Sequence, residues 1–194
     1  MRVLLEHEVA VAFAAGFFSF IAVSLLLGWL HLVDHESVPS RLGAVRFFTT
    51  AFLFLPMALV EEFLFRWLAI GQLSRITGLI PAFLFSIVAF VVAHRPNGRL
   101  RFTTILNLAI VSVILGLVFL QWGLWVVAAA HAGWNLAEWG LGYAVSGQKT
   151  RAVLPSPARR EVKDEPFGPE GHAVATVVLL LVLAVLLTTA RLHL

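Results

Sequence analysis

Long apolar runs alternate with short polar breaks along this chain, at 9 to 32, 45 to 71, 79 to 94, 103 to 120, 123 to 143 and 172 to 192. Most approach the length of about 20 residues that carries an α-helix across a bilayer. Helices are the expected form, because an open strand edge in lipid would leave backbone groups without partners. The pattern predicts an all-α, polytopic transmembrane helical bundle of about six spans, one membrane domain over residues 1–194. The third run, at about 1.5 Å per residue, reaches roughly 24 Å against a hydrocarbon core of about 30 Å, so it is expected to begin or end below the interface. Little more than Gln121 to Gly123 parts the fourth and fifth runs, which predicts a tight helical hairpin.

The stretch Met1 to Ala10 carries Arg2, Glu6 and Glu8, and the apolar run after it is too long for a signal-peptide core and shows no small-residue cleavage site. A retained first span is expected. The connection at 144–171 holds Pro155, Pro157, Pro166 and Pro169 with Gly147, Gly168 and Gly171, which cannot sustain a helix and predict a polar surface loop before the last transmembrane helix at 172–192.

Composition agrees with a bilayer: 60% of residues are hydrophobic and 13% charged, where a soluble domain has about 45–50% apolar residues. The net charge of +3 comes from basic residues spread between the apolar runs. They read as topology signals, so the lipid bilayer is the expected partner and nucleic acid is not. Arg41, Arg46, Arg95, Arg99, Arg101, Lys149, Arg151, Arg159, Arg160 and Lys163 fall on the first, third and fifth loops, against Arg2, Arg75 and Arg191 on the other side. The positive-inside bias therefore predicts the long loop in the cytoplasm and both termini outside. The chain has no cysteine, which excludes disulfides, thiolate ligands, a Cys nucleophile and Cys-linked lipidation.

Charged groups at bilayer depth cost about 2.5–3.5 kcal/mol each even on the lenient insertion scale, so each is a functional candidate. Three clusters interrupt the runs: Glu61, Glu62 and Arg66 in the second, His94 at the end of the third, and His131 with Asn135 in the fifth. Glu138 lies nearer the loop end of that run and is expected at the interface. Glu62 and Arg66, one helical turn apart, can pair. Glu61 then points about 100° away without a local partner, as a general base would. His131 and Asn135 share one helix face and can aim two donors at a single oxyanion. Taken singly, each cluster has a plain structural explanation, as a clamp, an interfacial histidine or interhelical glue. Together they supply a base, a second acid or base, and oxyanion donors.

The strings EEFLFR at 61–66, FVVAH at 90–94 and HAGWN at 131–135 occur in the order of the EExxxR, FxxxH and HxxxN motifs. In this the chain resembles the CAAX-protease and bacteriocin-processing (CPBP, or Abi) family of intramembrane endopeptidases, over a core at 47–143. GLWVVAAAHAGWN reads like that family's fifth-span segment, and FGPEG at 167–171 resembles a loop of many bacterial members. Trp67 departs from the small residue common after the Arg.

The resemblance implies hydrolysis of a peptide bond in a hydrophobic peptide or membrane-protein substrate. A short six-span chain reads as a multi-pass, bacterial inner membrane protein, and His94, toward the end that the basic loops assign to the cytoplasm, predicts a site that opens there. The resemblance also implies that Glu61 with His94 activates water and that His131 with Asn135 holds the oxyanion, with Glu62 and Arg66 as support. The same Glu61, His94 and His131 could instead be the three protein ligands of a catalytic zinc. No HExxH is present, since His7-Glu8 and His35-Glu36 both lack the second His, which favours no cofactor. Serine and aspartyl designs fit less well: Ser86 and Ser112 have no Gly-x-Ser setting, and Asp34 and Asp164 lie in loops. Two other readings stay open, a non-catalytic membrane protein of bacteriocin-immunity type and a small proton-coupled transporter. Phe63, Phe65, Trp134 and Trp139 would suit a hydrophobic substrate but equally suit packing.

Overall fold

The protein is described here by a computed structural model that covers residues 2–36, 44–147 and 158–189. Arg41, Lys149, Arg151, Pro155, Pro157, Arg191 and the end of the last apolar run lie outside the described residues. Six helical rods account for the six runs. They are α1 (Arg2–Trp29), α2 (Ala44–Glu62), α4 (Leu79–Ala93), α5 (Phe102–Trp122), α6 (Leu124–Gly140) and α7 (Ala173–Thr189). The α2 rod continues through a π-helical segment, Phe63–Gln72, into the short α3, Ser74–Thr77.

Four stretches have span length and apolarity on their own: Glu6–Trp29, Phe48–Thr77, Leu79–Asn97 and Phe102–Trp122. α6 and α7 have 17 residues each and reach only about 26 Å. α6 compensates by running through the middle of the bundle, where most of its side chains are buried. The third span is short, as expected, and a 3-10 turn, Arg95–Asn97, lengthens it. α1 starts at Arg2, several residues before the apolar run itself.

Two glycines make the sharp connections. Gly78 (φ 86°) separates α3 from α4, and Gly123 (φ 85°) alone joins α5 to α6, giving the hairpin its turn. Both angles lie in the left-handed region that glycine enters without steric cost.

Lipid-facing positions such as Phe18, Leu25, Phe52, Leu84, Val88 and Leu181 stay exposed, as a bilayer protein requires. The buried face of α1 repeats at helical spacing through Phe20, Val23, Ser24 and Leu27. It packs with Ile110 and Ile114 of α5, Ala137 of α6 and Val178 and Leu179 of α7. α1 and α6 approach closely enough for backbone contact. A methyl on Gly16 would strike the carbonyl of Ala130, and one on Gly133 would strike the carbonyl of Phe13. Small residues at a crossing allow this approach where lipid offers no hydrophobic drive for association.

The connection after α6 departs from the expected surface loop. Its Arg159–Val162 strand (β2) pairs antiparallel with β1 (Val33–Glu36), in the register Val33 to Val162. Lys163 donates its backbone N–H to the Leu32 carbonyl at 2.9 Å, and its ammonium group donates to the His31 carbonyl at 3.0 Å. Beyond the strand the chain turns inward. Phe167 is fully buried against Phe90 and Leu108, and Pro169–Gly171 forms a buried 3-10 turn. Pro166, Gly168, Pro169 and Gly171 lie in a stretch without α-helix. They permit instead a folded cap over the end of the bundle where His94 lies.

Candidate active site

The second apolar rod changes its winding where its carboxylates sit. Glu61 and Glu62 end α2, and the π-helical segment begins at Phe63. Such segments recur at functional sites because they redirect side chains within a rod. Glu62 and Arg66 are both fully buried, and Glu62 Oε2 lies 3.1 Å from Arg66 Nε. The N–H is not aimed along that contact, so charge rather than a hydrogen bond holds the pair. Arg66 also donates to Ser86 Oγ at 3.3 Å and stacks its guanidinium 4.8 Å from the centre of the Phe90 ring. Ser86 donates onward to the Phe65 carbonyl at 2.5 Å, tying α4 to the second rod.

The other oxygen of Glu62 reaches across to α6. His131 Nδ1 stands 2.7 Å from Glu62 Oε1, and His131 Nε2 stands 3.9 Å from Glu61 Oε2. A carboxylate can only accept, so Nδ1 carries the proton and donates to Glu62. The imidazole is therefore held between adjacent carboxylates, by a direct bond on one side and a wider gap on the other. That gap is too long for a hydrogen bond and suits a shared water. The Glu61 side chain keeps 36% of its exposure, whereas Glu62 keeps none.

His94 caps α4 and is buried. Its Nδ1 bonds the Phe90 carbonyl at 2.8 Å, and its ring lies 4.3 Å from the Phe90 ring, so the first residue of the FxxxH string fixes the last. Nδ1 is thereby the protonated nitrogen, leaving the Nε2 lone pair for other partners. Among the described residues no hydrogen bond or ion pair joins Glu61 to His94. Asn135, one turn beyond His131 on α6, is buried with an Oδ1 that has no hydrogen-bond partner among the described residues.

His94, His131 and Trp134 line a cavity of about 470 Å³ between α1, α5, α6 and α7. Its walls are mostly apolar, among them Val111, Leu115, Val118, Leu179 and Val182, and it reaches His7 and Glu8 of α1 and Thr189 of α7. Glu170 lines the same cavity. Its Oε1 accepts from Trp134 Nε1 at 2.9 Å. Burial pushes the Glu170 carboxyl above the usual carboxylate range, with Glu61 adding to the effect and His94, Trp134 and His131 opposing it.

Sequence reasoning missed Glu170 as a site residue, although FGPEG had stood out as a string. Glu138, near the loop end of α6, is fully buried within the protein and accepts a bond from the Ser146 backbone N–H at 3.3 Å. Trp67 stacks on Phe63 at 4.7 Å on the outer face of its rod and leaves the Glu62–Arg66 pair undisturbed. Of the other aromatic candidates, Phe65 packs edge-on against Phe90 and Trp139 is buried against Phe54, both structural roles. Among the described residues no three His, Asp or Glu side chains come together as a metal-binding group, Glu61, His94 and His131 included.

The described residues thus form a helical bundle whose mostly apolar cavity is lined by His94, His131 and Glu170. Residues 43–137 match the family model described as type II CAAX prenyl endopeptidase Rce1-like, a match consistent with the CAAX-protease family. The matched stretch contains all three motif strings. No curated protein and no solved structure matches the chain. The match supports intramembrane protease activity in general, on a peptide or protein substrate in the membrane.

Proposed function

We propose that this protein is a metal-free intramembrane endopeptidase in which Glu61 and His94 activate a water, while His131 and Asn135 hold the tetrahedral oxyanion. The observation that carries this reading is the His131 ring, bonded to Glu62 at 2.7 Å and 3.9 Å from Glu61 at the edge of the apolar cavity. A water between Glu61 and His131 would give up its proton to the half-exposed carboxylate as its oxygen attacks the scissile carbonyl. His94 presents its unprotonated Nε2 as a second acceptor. His131, already an imidazolium with Nδ1 donating to Glu62, donates from Nε2 to the oxyanion as negative charge develops on the substrate. Glu62 orients His131, and Arg66 balances Glu62.

The substrate class follows from the surroundings: an apolar peptide segment, or the membrane-embedded tail of a protein, entering from lipid or from the loop end of the cavity. β1–β2 pairing and the Arg101–Glu165 ion pair at 3.5 Å gather the first, third and fifth loops at one end. Arg95, Arg99, Arg101, Arg159, Arg160 and Lys163 also lie there, and this positive-inside bias supports a reading in which the site opens to the cytoplasm of a bacterial inner membrane. Cleavage of a fluorogenic peptide library by detergent-purified protein, and by its Glu61→Ala, His94→Ala and His131→Ala variants, tests the reading. Turnover by the parent protein alone is expected, with all four inserting equally well, and normal turnover by the Glu61→Ala variant overturns it.

A further inference from the structure

Glu170 is a buried acid that the mechanism above does not use, and the surrounding structure is spent on holding it still. Asn107 of α5 donates its amide to the carbonyls of Glu170 at 2.8 Å and His172 at 3.0 Å, and Thr176 donates to Asn107 Oδ1 at 2.6 Å. The backbone is thus pinned from α5 and α7. The side chain is pinned from α6, where Trp134 of the HAGWN string donates to Oε1 at 2.9 Å. The neighbouring Glu165 braces the turn by accepting the Phe167 N–H at 3.3 Å and pairing with Arg101 at 3.5 Å. One atom is left over: Glu170 Oε2 is buried and has no hydrogen-bond partner among the described residues. Glu170 lines the cavity that His94 and His131 also line.

The charged groups that act on it come from each packed element: Glu61 from α2, His94 from α4, and His131 and Glu138 from α6. A carboxyl so fixed in the cavity wall, with one oxygen uncommitted, can serve as a proton donor. We propose that Glu170 is a catalytic acid of this centre, donating its proton to the amine that leaves when the peptide bond breaks. This rests on the proposed water activation by Glu61. The water passes one proton to Glu61 as its oxygen bonds to the carbonyl carbon, and the carbonyl π pair moves onto the oxyanion. On collapse that pair re-forms the C=O bond, the C–N bond breaks, and the nitrogen takes the Glu170 proton and departs as an amine. Glu61 then returns its proton to Glu170 through cavity water, so the net reaction consumes one water.

The test compares Glu170→Gln and Glu170→Ala with the parent protein on a cleavable peptide and on its matched nitrophenyl ester, whose leaving group departs without a proton. Peptide turnover is expected to fall about 10²–10⁴-fold, the usual contribution of general acid–base catalysis, with ester turnover nearly retained. Equal loss on both substrates, or loss on neither, overturns the proposal. Glu61→Ala tested on the same pair reports separately on water activation, because loss of both activities is expected there whatever Glu170 does. An arm without substrate reads the infrared band of a buried protonated carboxyl in the resting protein at neutral pH. The band is expected to weaken in Glu170→Gln, and identical spectra overturn the donor role.

Discussion

His131 donates from Nδ1 to Glu62 at 2.7 Å, and that carboxylate also balances the buried Arg66 at 3.1 Å. Glu62 is therefore both a positioning group for the imidazole and half of a buried ion pair. Removing one partner of such a pair leaves an uncompensated charge, at a cost of about 3–5 kcal/mol. Glu62→Ala and Arg66→Ala are expected to lose thermal stability and membrane yield as well as turnover. Unchanged melting of both variants in detergent would remove the structural role.

The α1–α6 crossing makes a second expectation, since a β-carbon at Gly133 or Gly16 meets backbone rather than a movable side chain. Gly133→Ala and Gly16→Ala should each destabilise the protein by about 1–3 kcal/mol through overpacking. Gly140→Ala meets nothing within 4 Å and serves as the control. Equal melting temperatures for Gly133→Ala and Gly140→Ala would contradict the close approach.

Phe90 holds His94 by ring contact and by its carbonyl, and it also stacks beneath Arg66. Phe90→Leu keeps the carbonyl and most of the apolar volume while losing both ring contacts. A drop in turnover of about tenfold or more, with stability lowered by about 1 kcal/mol, is expected from loss of these aromatic contacts. Full activity in this variant would show that the backbone bond alone orients His94.

Glu170 gives the pH dependence a sign. Burial raises its folded-state pKa above the unfolded value, so the fold favours the protonated carboxyl and ionisation costs stability. Stability from this group is undiminished below the ordinary carboxylate range, falls as pH rises from there, and levels off above the folded pKa. Melting temperature measured against pH should show that decline in the parent protein and a shallower one in Glu170→Gln. Parallel curves would mean that Glu170 does not carry the effect.

Much of this was legible in the chain. The six apolar runs became six rods, and Gly123 turned the hairpin where the runs nearly touch. FxxxH and HxxxN named His94 and His131, which line the cavity, because an apolar run makes any polar side chain conspicuous. Glu170 escaped for the opposite reason: it sits among prolines, glycines and other charges, where a buried acid looks like a solvated one. Its burial depends on Asn107, 63 residues away, and on the turn from β2, whose strand RREV shows no apolar alternation. Glu138 was read from its distance to the end of a run, which does not report the bond that its carboxylate accepts from the Ser146 N–H. The link from His131 to Glu62 depends on how two rods rotate against each other, which helical periodicity in each rod does not specify.

The central claim is that Glu61 activates water without a metal, and the most direct measurement is the turnover of one cleavable peptide by the purified protein and by Glu61→Ala, each with and without a zinc chelator. The account predicts cleavage that the chelator leaves intact and that Glu61→Ala lowers by about 10²–10⁴-fold with the fold retained. Cleavage that the chelator abolishes and zinc restores, or normal turnover by Glu61→Ala, would contradict it.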